Sequence, residues 1–229
     1  MDADFVYLTQ NPRLFRAALE FNNFYLPPDF GLPDQEAETL RLKTALTAKQ
    51  RLWRHFPRER TDVWCFAVAV NRLALLPLNV LKALAVFWSA VVWAEALART
   101  VEGDRLQQIK AVIGAEAFRY AVRQGRFQLG GLRKDWLPAD VEMLSEQGLP
   151  TPGKKLLFLA LSLWPEILRE AWLARWRFTP EAKAFSLPIM GEEKEAGEKD
   201  LALWQKTWPH IEKLLFTEVA PEWQPCFSS

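Results

Sequence analysis

Cysteine and histidine are scarce in this 229-residue chain, which holds two of each. Cys65 and Cys226 lie far apart and form no spaced set, which excludes a disulfide scaffold and a thiolate zinc cluster and suits a reducing compartment. Neither His55 nor His210 has another ligand at helical metal-binding spacing, except Glu59 beyond Pro57, so neither metal nor cofactor is expected. An excess of either charge is missing too. Lys and Arg number 29 against 28 Asp and Glu, a formal +1, and a nucleic-acid binder needs many uncompensated cations to displace counterions. Long apolar runs are also wanting. The greasiest stretch, Leu73 to Ala98, is interrupted by Asn79, Lys82 and Glu95. Its uncharged part, Ala83 to Ala94, falls well short of the roughly 20 residues of a spanning helix, so a buried core helix is expected and membrane insertion is not. The opening MDADFVYLTQ has two acids and no basic n-region, so no secretory signal is expected and the location expected is cytoplasmic.

Signatures of catalysis are equally sparse. No Gly-x-Ser-x-Gly elbow occurs and no carboxylate pair stands out for acid–base work. Gly148 to Lys155, GLPTPGKK, nearly spells a phosphate loop. That loop aims consecutive backbone N–H groups at phosphates, and Pro150 and Pro152 have none. Lys155 also stands where a magnesium-holding hydroxyl belongs. A non-enzymatic chain is expected. The alternative is an all-α enzyme or ligand binder whose site is assembled from dispersed residues such as Glu116, Glu166, Arg169 and His210.

What is present is grease at helical spacing. Half the residues are apolar, 15 prolines and 10 glycines punctuate them, and no alternating strand pattern runs longer than a few residues. The fold expected is all-α, an irregular multi-helix bundle with an extended N-terminal segment. Residues 1–46 are the least regular, with Pro27-Pro28 to Pro33 an extended loop and Phe5, Tyr7, Phe15, Phe21, Phe24 and Tyr25 as anchors on the body. A helical core is expected over 47–190. Thr47 with Gln50 forms a capping box, Asp62 caps a helix over Val63 to Leu76, and Pro77 opens a helix that is apolar nearly all round. Asp104 with Gln107 caps a short helix ending at Gly114. The next helix has Phe118, Ala121 and Val122 inward and stops at Gly125, Pro138 opens another that Gly148 ends, and further helices run from Lys154 to Trp164 and onward from Pro165. Residues 191–200, GEEKEAGEKD, read as a polar loop or linker. A C-terminal helical segment follows over 201–229, kinked or divided at Pro209.

Charge is unevenly spread. Arg105 to Lys134 holds seven bases and one acid, Glu116. Arg119, Arg123 and Arg126 are expected on one helix face opposite Phe118 and Val122. That face is either ordinary solvated surface or a dock for an acidic partner. Core packing accounts for most of the eleven tryptophans. Trp136 and Trp223, flanked by charged residues, are the candidates for exposure at a protein contact. The run Trp172 to Phe178 offers a further alternative, a helix lying on a membrane surface.

Leu97 to Gly130, LARTVEGDRLQQIKAVIGAEAFRYAVRQGRFQLG, resembles the central signature of the SctK family of type III secretion systems, the YscK, PscK and OrgA/MxiK group. The resembling pattern is an apolar helix ending in a basic residue, a short helix of Arg105-Leu106 type, Ile113-Gly114 with Glu116, Phe118-Arg119, and a closing Leu129-Gly130. The C-terminal IEKLLFTEVAPEWQPCF also resembles the family's closing helix. The resemblance implies a non-enzymatic adaptor of the cytosolic sorting platform, peripheral at the inner-membrane face of the injectisome. Its implied partners are the cytoplasmic domain of the ring protein SctD and the pod protein SctQ, and through the pod SctL and the secretion ATPase.

Overall fold

A computed structural model describes residues 7–8, 10–22, 63, 65–137, 144–176 and 197–227. Every regular element among them is helical, and the chain divides into two compact units, 1–67 and 68–229. The bundle is thus all-α, as the spacing of apolar residues required.

In the first unit, helix α1 spans Pro12–Asn22. The segment expected to be irregular therefore holds a well-made helix. Asn11 caps it, its Oδ1 accepting from the Leu14 N–H at 3.1 Å, and Pro12 occupies the first helical position, where a missing N–H costs nothing. Leu14, Ala18 and Phe21 make the buried stripe, and Phe21 meets Phe66 edge-to-face at 5.5 Å. Asn22 closes the helix by a reciprocal pair with Val63: its Nδ2 donates to the Val63 carbonyl at 2.9 Å and its Oδ1 accepts from the Val63 N–H at 3.0 Å. Pro27 to Pro33 and the capping box at Thr47 lie outside the described residues.

The second unit begins with a short helix, α2 (Ala69–Arg72), running into a 3-10 turn over Leu73–Leu75. The helix expected from Val63 is shorter because Val68 is extended at its start and Leu76, preceding Pro77, is extended at its end. Arg72, 3% exposed, donates from Nη1 to the Phe227 carbonyl at 2.9 Å, tying this corner to the far end of the chain.

Helix α3 spans Leu78–Val92, directly after Pro77, and is the hub. Leu78, Leu81, Leu84, Ala85 and everything from Trp88 to Val92 are buried, so its last five residues have no solvent face. After Trp93 come α4 (Ala94–Arg99), α5 (Gly103–Ile113) and α6 (Ala115–Arg123). Glu102, not Asp104, precedes the first turn of α5, and Asp104 lies within that turn, where its charge suits the helix dipole. Gly114 has φ +80°, a left-handed turn open only to a residue without Cβ at low cost, and it sets α6 at a new angle. Ala117, Tyr120 and Ala121 form the buried stripe of α6, whereas Phe118 and Val122, expected inward, flank it half-buried.

Two 3-10 turns, Gly125–Phe127 and Gly130–Leu132, lead to α7 (Arg133–Trp136). The start of the helix expected at Pro138 lies outside the described residues. Helix α8 spans Thr151–Leu163, three residues earlier than expected: Pro152 sits in its first turn, where no N–H is needed. Helix α9 (Glu166–Trp176) restarts after Pro165. Helix α10 spans Glu198–Leu214, and its first turn takes in Glu198 to Asp200 of the charged stretch. It runs through Pro209 as one helix rather than two. A π-turn over Leu215–Val219 closes it, with the Ala220 N–H donating to the Leu215 carbonyl at 2.7 Å, before a 3-10 turn at Pro221–Trp223 and α11 (Gln224–Phe227).

The contact between α3 and α8 is the tightest in this unit. Gly153 lies on the backbone of Ala85 and its N–H donates to Ser89 Oγ at 2.8 Å. A Cβ at 153 would collide with the Ala85 carbonyl oxygen and sit 2.7 Å from Ser89 Oγ. Backbone on both sides has nowhere to give. Gly153→Ala should therefore cost about 3 kcal/mol of unfolding free energy by overpacking. Gly131→Ala, where a Cβ meets nothing within 4 Å, should stay within about 0.5 kcal/mol. Urea denaturation of both variants checks the contrast, and equal midpoints would contradict it.

Candidate functional site

The cationic segment starts on α5 with Arg105 and Lys110 and continues on α6. The helical pitch of α6 sets Arg119 and Arg123, four residues apart, on the side away from Ala117 and Ala121, and both arginines are exposed. Neither makes a hydrogen bond or ion pair among the described residues. Arg126 does not share their helix. It belongs to the 3-10 turn Gly125–Phe127, because Gly125 packs against Val91 and draws the chain off the helical path. Its exposed guanidinium lies 4.5 Å from the centre of the Phe127 ring.

This turn is held from several directions. Gln128 donates from Nε2 to the Tyr120 hydroxyl. Burial pushes the Tyr120 hydroxyl pKa up, and the Glu218 charge adds to that, so the group stays a protonated hydroxyl. Tyr120 thus ties α6 to the turn. Arg133 is buried, reaching the Glu95 carboxylate with Nη1 and the Arg126 carbonyl with Nη2 at 3.0 Å. The Glu95 side chain is 57% exposed, so this pair serves position more than stability.

Trp136 is not a surface residue. It is 0% exposed, meets Trp88 edge-to-face at 5.0 Å, and donates from Nε1 to Thr207 Oγ1 at 3.3 Å. Lys155 lies over its ring at 5.4 Å. The flanking charges misled because α7, one turn long, points Lys134 and Asp135 outward while its next residue plugs the gap between α3 and α10. Trp223 is half-buried on the 3-10 turn Pro221–Trp223, beside the exposed Glu222.

The residues of the alternative enzymatic reading sit on α6, α9 and α10, with Glu166 and Arg169 one turn apart on α9. A cleft of about 410 Å³ opens where α5 faces residues 144–149, lined by Glu102, Asp104, Arg105, Glu146 and apolar side chains. Glu116, Glu166, Arg169 and His210 do not line it. Among the described residues no three metal-ligating side chains gather, and no helix is long and apolar enough to cross a membrane. Of the run proposed for a membrane surface, Trp172 is buried against Trp164 at 5.5 Å, and residues 177 and 178 lie outside the described ones. The Gly153 N–H that a phosphate loop would need is spent on Ser89.

A family model described as YOP proteins translocation protein K (YscK) matches residues 39–190, about two thirds of the chain. The chain belongs to the YscK family. It is a type III secretion protein. The family match takes in α2 to α9 and with them the whole cationic segment, but stops short of Trp223 and the C-terminal stretch whose resemblance was noted from sequence. No curated protein and no solved structure matches.

Two outcomes follow for this YscK-family chain. Trp136→Ala should lose about 3–5 kcal/mol of stability through the cavity it leaves between α3 and α10, seen as a lowered urea midpoint. A folded, equally stable variant would return Trp136 to the surface. Burial, with Lys213 one turn on, lowers the His210 pKa below 6.5. The unfolded chain then takes up the proton first, so this contribution to stability is full above pH 6.5 and falls away as pH drops through the folded value. Between pH 7.5 and 5.5 the wild type should lose more unfolding free energy than His210→Gln, and equal losses would contradict the assignment.

Proposed function

We propose that this chain is a non-enzymatic adaptor of the cytosolic sorting platform of a type III secretion system. It bridges the cytoplasmic domain of an SctD-like inner-membrane ring protein to an SctQ-like pod protein, with SctL and the secretion ATPase attached through the pod. Its place is the cytoplasmic side of the secretion apparatus, peripheral to the inner membrane. Arg119, Arg123, Arg126 and Trp223 are the proposed contact residues.

One observation supports this reading above the rest: the family-matched region presents exposed guanidiniums, without an ion pair among the described residues, on a helix and turn that are fixed from behind. Cations neutralised within the fold would be spent. Cations left facing water on a rigid support cost little and speed encounter with an opposite charge, where they also set register. Glu116, Glu166, Arg169 and His210 do not line the cleft beside α5.

Purified wild-type chain should pull down the pod protein and the ring protein's cytoplasmic domain. Arg119→Glu with Arg123→Glu should weaken one of these contacts at least about tenfold at low salt, with the gap narrowing as salt rises and the helical circular dichroism unchanged. Deleting the gene should stop secretion while the membrane rings still assemble. Binding to neither partner, or secretion without the protein, would sink the adaptor role.

A further inference from the structure

Phe127 is 73% exposed, the most exposed aromatic side chain among the described residues. Single exposed apolar residues are ordinary, and Val101, Ile167 and Leu201 need no account. Phe127 differs in three respects. Its backbone is immobilised: Gly125 sits on Val91, Gln128 is held by Tyr120, and the carbonyl of Arg126 is held by the buried Arg133. Its ring is braced by the Arg126 guanidinium at 4.5 Å and still stands clear of the surface. Its stretch of chain carries one sign of charge, for residues 117–134 contain no acid while Arg119, Arg123, Arg126 and Lys134 are all exposed, and the neighbouring Glu95 carboxylate is already paired with Arg133.

We propose that Phe127, with Arg126 stacked on it, is the anchor of the docking surface: it enters an apolar socket on a partner protein whose rim carries carboxylates. This deepens the adaptor reading and rests on it for the partner's identity. An aromatic side chain on a rigid turn loses little freedom when covered, so nearly all of its buried area counts toward affinity. The surrounding arginines supply encounter and register, and they shield the anchor from water once docked. A protein fits better than an anionic membrane. One ring and a few cations make a weak lipid anchor, and Glu116 and Asp135, exposed at either end of the segment, would face lipid phosphates with like charge.

Full-length wild type, Phe127→Ala and Phe127→Trp are compared for binding to the pod protein and to the ring protein's cytoplasmic domain at two salt concentrations. Phe127→Ala should dissociate at least tenfold faster from one of them, by a factor that salt leaves unchanged, and Phe127→Trp should retain binding. Unaltered circular dichroism would show that the fold survives. Wild-type-like dissociation of Phe127→Ala from both partners overturns the anchor. So does Phe127-dependent flotation with vesicles of 30% phosphatidylglycerol. Should the wild type bind neither protein, the adaptor reading fails by itself, and complementation of a deletion strain then decides the anchor. Phe127→Ala at normal protein level restoring no secretion supports it, and full restoration overturns it.

Discussion

Everything in the larger unit is arranged around the closeness of α3 and α8. With Gly153 against Ala85 and a hydroxyl from Ser89 filling the N–H of the first helical turn, two backbones meet where side chains normally stand between helices. That contact consumes one side of α3. The other sides are then covered by α6, the Gly125 turn and the C-terminal elements, which is why the last five residues of α3 have no face left for water. The position of the cationic segment follows, because Gly125 can reach Val91 only if α3 is held where α8 holds it.

The tryptophans complete the frame through their polar edges as much as their area. Trp93 donates to the Gly148 carbonyl, Trp136 to Thr207 and Trp164 to the Val70 carbonyl at 2.8 Å. Each bond crosses between elements far apart in sequence. A buried indole N–H that finds an acceptor escapes the cost of desolvation, so these three fix the relative rotation of the elements they join as well as filling space, whereas the N–H of the buried Trp88 has no acceptor among the described residues. At the C-terminal end, Trp204, Trp208, Phe227 and Phe216 continue as a chain of ring contacts at 5.3–6.1 Å.

How much of this could be read beforehand depended on whether the deciding contact was local. The central helix was legible because Pro77 marks its start and its grease spans every face. The beginning of α8 was not, since Pro150, Thr151, Pro152 and Gly153 look like a loop until α3 is there to receive the glycine. Helix α1 was missed although Asn11-Pro12 and the Leu14, Ala18, Phe21 spacing announce it; the prolines further on dominated the reading. In the candidate site, Arg119 and Arg123 followed from helical pitch. Arg126 and Phe127 did not, because a 3-10 turn replaces the helix only where Val91 lies beneath Gly125. Trp136 was misplaced for the same reason in reverse: neighbours in sequence say little about what a one-turn helix plugs.

The guanidinium of Arg72 reaching the carbonyl of Phe227 has a consequence in time rather than space. During synthesis, Arg72 leaves the ribosome long before its acceptor has been made. The tie between α2 and α11 waits until residue 227 has emerged. The bond between the first and the last described helix of the larger unit is therefore among the last contacts a growing chain is able to make.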